Sequence, residues 1–472
     1  MPWAAGVFLA GVLLSYAGLI GLGQWSPDEY DDFASFAQNG WNAFWHRLQW
    51  SPRPFSETAF YAYGCLVNLL HRPLIASFLG VLWAGFFVAG LFTAWQMHRE
   101  HRDEPLWPCL LVTLSFMASF VTGGGLTEVF YWPAGAVAYL TTLSVTLLLF
   151  LQVATGRLSN RGGRLLASFC LAIAASSSEA GAAFVLAFAL VQVVQLILVR
   201  AGSAADQTNR LPVLWWMVPT LLSVLLIAVV GSNRYHVVEE PTILTAASVG
   251  HPLLSLLAAS RKLLLEIVGW ESYGRTQLSG RLLAEMLLAV GVGMSWRLFS
   301  SPRKKPPRQI AGLIATFLLA SLFTLAAEYV HFGTAVGERH ETIRRCWILM
   351  SAAGLGILGF SSPVMQRLRS RPFSNVLAPL LLCAAIFPVW HVKALLREYQ
   401  IYVAVRHTTE RNFQSGYSAG GAMTYDWPPF RGVLSPSQPE PGVYTSESPN
   451  AAYPLYILRY FNKQTLVVRK EQ

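Results

Sequence analysis

Long uncharged apolar runs recur along the chain, separated by segments that collect most of its charges. Apolar all round rather than on one stripe, such runs predict helices with no solvated face, and runs near 20 residues match the ~30 Å of bilayer hydrocarbon. Hydropathy places about eleven of them, at 3–23, 74–96, 106–121, 132–155, 165–177, 180–199, 213–231, 282–299, 310–327, 346–360 and 375–392. The pair 165–177 and 180–199 sets the count, because thirteen residues barely cross and a re-entrant first member would invert everything downstream. The first run lacks the basic leader and small-residue cleavage site of a signal peptide, so it is expected to stay as an anchor.

The charges agree with this layout. With the N-terminus cytoplasmic, the inner loops hold 15 Lys and Arg in 58 residues, the outer loops 11 in 131. This is the positive-inside bias, and it supports both the count and the orientation. Acids run the other way, four inside and fourteen outside, so the outer face collects the carboxylates. Composition adds that 54% of the 472 residues are hydrophobic and only 13% charged, which excludes a soluble enzyme, a disordered tail or a disulfide scaffold. The net charge of +10 is spread over inner loops instead of forming a patch among aromatics, which argues against nucleic acid. The five cysteines are single and widely spaced, and read as packing residues.

The expected architecture is an all-α polytopic membrane domain, 1–392, followed by a small extracytoplasmic α/β appendage, 393–472. In the appendage, turn signals at Gly416–Gly421, Trp427-Pro428-Pro429 and Pro436–Pro441 precede a helix or strand at Tyr453–Tyr460 and a strand at Thr465–Val468.

The densest chemistry follows the first span, in Gln24-Trp25-Ser26-Pro27-Asp28-Glu29-Tyr30-Asp31-Asp32-Phe33. Four carboxylates in five residues are costly unless a helix end, a proton or a cation compensates them. Ser26-Pro27-Asp28-Glu29 is a capping box with Pro at the first helical position, which accounts for Glu29 and partly for Asp28. Asp31 and Asp32 continue the charge into the next turn, where Asp28, Asp31 and Asp32 share a face. Two uses are open: a general base, or a hard-cation site for Mg²⁺, Mn²⁺ or Ca²⁺ on Asp28, Asp31 and Asp32. Downstream, Trp41, Phe44, Trp45 and Leu48 fall at helical spacing and predict an interfacial helix. Arg53, in Pro52-Arg53-Pro54, is a candidate phosphate contact.

At these residues the sequence resembles polyprenyl-phosphate-dependent membrane glycosyltransferases of the GT-C type. Ser26-Pro27-Asp28-Glu29 resembles the Pro-Asp-Glu form of aminoarabinose and protein-mannosyl transferases. Tyr30-Asp31-Asp32, and Glu128 in Thr127-Glu128-Val129-Phe130-Tyr131-Trp132-Pro133, are more similar to uncharacterised bacterial relatives. The Lys-Pro-Pro-Leu-type sequence of the aminoarabinose enzymes is absent. The resemblance implies a bacterial inner-membrane enzyme that takes a sugar from a polyprenyl-phosphate donor in the outer leaflet and passes it, with inversion, to a glycan, lipid or protein acceptor. A carboxylate of the first outer loop would be the base, Asp28 foremost with Glu29, Asp31 and Asp32 as rivals. Outer arginines would hold the leaving phosphate, Arg339 first, then Arg53, Arg344 and Arg345.

Glu128, after a glycine-rich turn, and Glu179, in Ser176-Ser177-Ser178-Glu179, sit near the outer face and are further candidates for substrate contact. A run around Ser255–Val268 predicts a second interfacial helix, and Glu285 reads as structural. His236, His331 and His340 fit no zinc spacing. Two other functions stay open. A glycolipid transporter or flippase would need polar groups near the bilayer midplane, and a non-catalytic assembly protein would keep the shape alone.

Overall fold

The computed structural model describes residues 2–100, 106–121, 126–154, 156–202, 214–234, 251–268, 289–291, 307–335, 338–360, 392–430, 434, 436–448 and 451–470. They are mostly helical, as the apolar runs require, with a few strands near the C-terminus. The helices are α1 (Pro2–Gly18), α2 (Pro27–Asn39), α3 (Trp41–Trp50), α4 (Pro54–Leu70), α5 (Ile75–Glu100), α6 (Leu106–Phe120), α7 (Pro133–Ala154), α8 (Arg161–Ser177), α9 (Glu179–Gly202), α10 (Leu214–Arg234) and α11 (Pro252–Val268). They continue with α12 (Pro307–Phe332), α13 (Glu338–Phe360), α14 (Val392–Tyr417) and α15 (Ala452–Phe461); the strands are β1 (Ala422–Asp426), β2 (Gly442–Thr445) and β3 (Thr465–Arg469).

Among the described residues four helical stretches are long and apolar enough to cross a membrane: Ile75–Gln96, Pro133–Ala154, Glu179–Leu198 and Arg308–Val330. They coincide with four of the runs picked out by hydropathy. Gly6–Leu22 and Pro27–Asn39 pass the same test only as a pair, and that pair is bent by 56° at the Gly23–Ser26 break. Trp215–Val229 is a shorter apolar helix. The runs 106–121, 165–177 and 346–360 lie on helices α6, α8 and α13, whereas 375–391 and nearly all of 282–299, Glu285 included, lie outside the described residues.

The chain divides into two compact units. The first comprises residues 1–13, 85–125 and 141–389, and in it α12 packs against α9, α11 and α13 while α8, α9 and α10 pack on one another. Ser178 alone separates α8 from α9; its Oγ accepts from the Gly181 N–H at 3.0 Å and lies 2.8 Å from Thr142 Oγ1. Gly181 is required at that corner, because a Cβ would overlap the Ala174 carbonyl.

The second unit comprises residues 14–84, 126–140 and 390–472. From sequence, residues 393–472 are expected as a separate appendage. The C-terminal segment nevertheless clusters with the first loop and the 126–140 turn instead of standing alone. It opens with α14, a 26-residue helix that the turn signals farther on did not suggest. The sheet has order β1-β3-β2, with β1 parallel and β2 antiparallel to β3. α15 and β3 fall on the two segments read from sequence as helix or strand and as strand.

The core of this unit is aromatic. Trp25 makes edge contacts with Tyr30, Phe33, Phe413 and Tyr460 at centroid distances of 4.9–5.4 Å, the geometry the ring quadrupoles favour. Its indole N–H donates to Tyr63 Oη at 2.9 Å. On α3, Phe44 faces inward while Trp41 and Trp45 are exposed, so the face read as uniformly interfacial is shared between core and surface. α11 packs on α12 through Ala259 and Leu263, with Glu266 buried, which makes it part of the first unit's core as well as an amphipathic helix.

Candidate functional site

The acidic turn is the start of α2. Ser26 is extended, Pro27 holds the first helical position, and Glu29 folds back so that its Oε2 accepts from the Ser26 N–H at 2.9 Å and the Ser26 hydroxyl at 3.0 Å. The capping box expected from sequence therefore forms. The same carboxylate does more. Oε2 also accepts from Trp132 Nε1 at 2.8 Å, and Oε1 accepts from the Ala134 N–H at 3.1 Å. Glu29 has no exposed surface, and burial pushes its carboxyl up to about 7, opposed by these donors and assisted by the neighbouring charge of Asp28.

Asp31 and Asp32 diverge. Asp31 accepts from Arg459 Nη1 of α15 at 2.8 Å. Asp32 is paired with Arg47 of α3, whose Nε reaches Glu57 of α4, and Glu57 takes Arg53 at 2.8 Å on its other oxygen. This chain of four alternating charges ties α2, α3 and α4 together, and Glu57 is buried at its centre. Burial pushes Asp32 up to about 7 against the pull of Arg47. The three-carboxylate face expected for a cation therefore does not assemble: among the described residues no group of three His, Cys, Asp or Glu is arranged to hold a metal ion. Arg53, expected at a phosphate, is engaged by a buried glutamate.

Asp28 differs from its neighbours. It is exposed at the first turn of α2, and it makes no hydrogen bond or ion pair with a described residue.

Glu128 belongs to the same unit. It lies in a π-helical turn, Thr127–Tyr131, closed by the Trp132 N–H to the Thr127 carbonyl at 2.8 Å. Such turns recur at functional sites. Its Oε2 is buried with no hydrogen-bond partner among the described residues. Gly135 lets α7 start directly beneath, since a Cβ there would overlap the Glu128 carbonyl. Gly135→Ala is accordingly expected to cost about 1–3 kcal/mol, readable as a lower melting temperature of the detergent-solubilised protein.

No family model, curated protein or solved structure matches this chain.

The remaining candidates fall in the first unit. Glu179 opens α9 directly after the Ser178 cap. Arg339 stands in the first turn of α13, half-buried. Arg344, one turn on, is 1% exposed: Nε and Nη2 donate to the two oxygens of Glu266 at 3.2 and 3.1 Å, and Nη1 donates to Glu328 at 3.1 Å. His340 Nδ1 lies 2.8 Å from the same Glu328 oxygen. Arg344, named from sequence as a phosphate contact, is enclosed by protein carboxylates.

Sequence reasoning missed Trp132, Arg47, Glu57, Arg459 and Glu266. Arg53 and Glu57 carry a signal, their i, i+4 spacing with Pro at the helix start. Trp132 and Glu29 are 103 positions apart and carry none.

Proposed function

We propose that this chain is a GT-C-type membrane glycosyltransferase with about eleven spans, an N-terminus in the cytoplasm and its C-terminal segment outside a bacterial inner membrane. It moves a sugar from a polyprenyl-phosphate donor to an extracytoplasmic glycan, lipid or protein acceptor. One observation carries the reading: of the four carboxylates in the first-loop turn, three are engaged by structural partners, and Asp28 alone is presented to solvent without one among the described residues. A carboxylate so placed acts as the base of an inverting transfer. Asp28 takes the proton of the acceptor hydroxyl as that oxygen attacks the anomeric carbon. The bond from that carbon to the phosphate oxygen breaks on the opposite face, and the lipid phosphate leaves with the electron pair. The capping box keeps Asp28 in the first turn of a helix.

The test uses purified protein in nanodiscs with polyprenyl phosphate and polyprenyl-phosphate mannose or arabinose. Binding of both lipids and release of sugar from the charged one support the transferase. If neither lipid binds, the donor is wrong. The buried Arg344–Glu266–Glu328 cluster favours transport as the second reading, since ionisable groups packed among apolar helices often serve a translocation path. Movement of the charged lipid across a bilayer without sugar release would select it.

The orientation has its own test. A cysteine replacing Ala419, which is exposed just before the turn at Gly420, in a variant lacking the exposed Cys65, is expected to react with a membrane-impermeant maleimide on intact spheroplasts. Labelling only after permeabilisation would invert the topology.

A further inference from the structure

We propose that Glu29 is a positioning residue, one carboxylate that caps two helices at once and so holds the turn bearing Asp28 against the turn bearing Glu128. The proposal rests on the transferase reading only in giving Asp28 the role of base; the clamp itself is a matter of geometry.

An ordinary capping box spends its carboxylate on the N-cap residue of its own helix. Here two of the four donors, Ser26 N–H and Oγ–H, belong to α2, and two belong to the start of α7, 103 and 105 positions away. The first N–H groups of a helix have no intrahelical acceptor. Pro133 has none to offer, so Ala134 carries the first free N–H of α7, and Glu29 Oε1 satisfies it. The positive ends of α2 and α7 therefore meet at a single negative charge. Because Glu29 is fully buried, water has no access to replace a lost bond. On the α7 side, the Trp132 that donates its indole N–H to Glu29 also closes, through its backbone N–H, the π-helical turn that carries Glu128. The turn sits hard against Gly135. Asp28 is the residue next to Glu29 in the chain, so the clamp joins the two carboxylate-bearing turns with no flexible link between.

Protonation is the condition under which this clamp should slip. Among the described residues, the titratable groups around Glu29 are Asp28 and Tyr30 on α2, Tyr63 on α4 and Tyr453 on α15, and α7 contributes neutral donors. With the carboxyl held near 7 against an ordinary 4.5, the folded chain takes up the proton first as pH falls. Linkage then makes global stability rise, not fall, between about pH 7 and 4.5. The loss is local. Protonation takes the charge out of all four bonds, and a proton on Oε1 faces the Ala134 N–H directly, so the bond that holds the start of α7 weakens.

The experiment is hydrogen–deuterium exchange on the full chain in nanodiscs, corrected for intrinsic rates, for wild type, Glu29→Gln, Trp132→Phe and the double variant. A lost charge-assisted bond corresponds to about tenfold or more. Glu29→Gln is expected to speed exchange by that factor in residues 28–30 and in 134–136, Trp132→Phe in 134–136 alone, and the double variant no further than Glu29→Gln. Wild type should show the acceleration at 134–136 on going from pH 8 to 6, and Glu29→Gln should not. With polyprenyl-phosphate mannose as donor, both variants are expected to lower kcat more than they raise KM. Trp132→Phe keeps the capping box of α2 and guards against a Glu29 variant that fails to fold. Acceleration confined to α2, additive effects, or exchange at 134–136 indifferent to pH would each overturn the clamp. If wild type turns over no lipid-linked sugar, the functional reading falls while the exchange result still decides this one.

Discussion

Asp28→Asn is expected to lower sugar transfer by about 10²–10⁴-fold, the usual contribution of a positioned general base, while the protein keeps its fold. Asp28 is exposed, and its loss removes no hydrogen bond or ion pair to a described residue. The stability cost should stay within about 1 kcal/mol, the value of an acidic residue near a helix N-terminus. The same substitution at Asp32 should behave in the opposite way. It uncouples Arg47 from α2, leaving a guanidinium engaged among the described residues by Glu57 and the Phe60 ring, and the expected result is a lower melting temperature with α3 loosened. Turnover by donor-lipid consumption and thermal unfolding, measured on both variants, separate the two roles. An Asp28→Asn protein with full turnover would leave that carboxylate as a helix-end charge and nothing more.

Arg344→Met is expected to destabilise the protein by about 3–5 kcal/mol, the largest stability effect of any single change considered. Arg344 and Glu266 are each 1% exposed and Glu328 is 4% exposed, so removing the guanidinium leaves two carboxylates facing each other without solvent. The bond geometry matters as well as the charge: two of the guanidinium nitrogens engage both oxygens of Glu266, and the third reaches Glu328. Lysine offers a point charge in place of a planar fork, so Arg344→Lys should recover only part of the loss. Replacing all three residues by apolar ones of similar volume should come close to wild-type stability, because the cost lies in the unpaired charge and not in the absence of a salt bridge. Thermal unfolding of the solubilised protein gives the ranking. The three residues come from α11, α12 and α13, so the cluster is what keys these helices into one register.

Much of the local structure was legible in order along the chain. Apolar runs long enough to cross a bilayer announce α5, α7, α9 and α12 without any tertiary information, because lipid demands that each segment satisfy its own backbone hydrogen bonds. The capping box at Ser26–Glu29 was equally readable, since both partners lie within one turn. The strand at β3 and the helix at α15 followed from short-range pattern. α14 did not: its mixed charged and apolar residues give little span signal, and the nearest local signals are the turn glycines and prolines beyond it.

What the sequence by itself determined is the helical character of the chain with apolar runs long enough to cross a membrane, the position of the acidic turn directly after the first apolar helix, and the list of carboxylates and arginines open to chemistry. The tertiary structure decided which of these are free to act. Asp31 and Asp32 look alike on paper to Asp28, and Arg53 and Arg344 to any phosphate-binding arginine; only their partners, Arg459, Arg47, Glu57, Glu266 and Glu328, mark them as counter-ions. The physical reason is range. Helix formation and capping depend on neighbours within a few residues, whereas a buried charge takes its meaning from whatever the fold sets within about 3 Å of it. For Glu29 that included Trp132, 103 positions away.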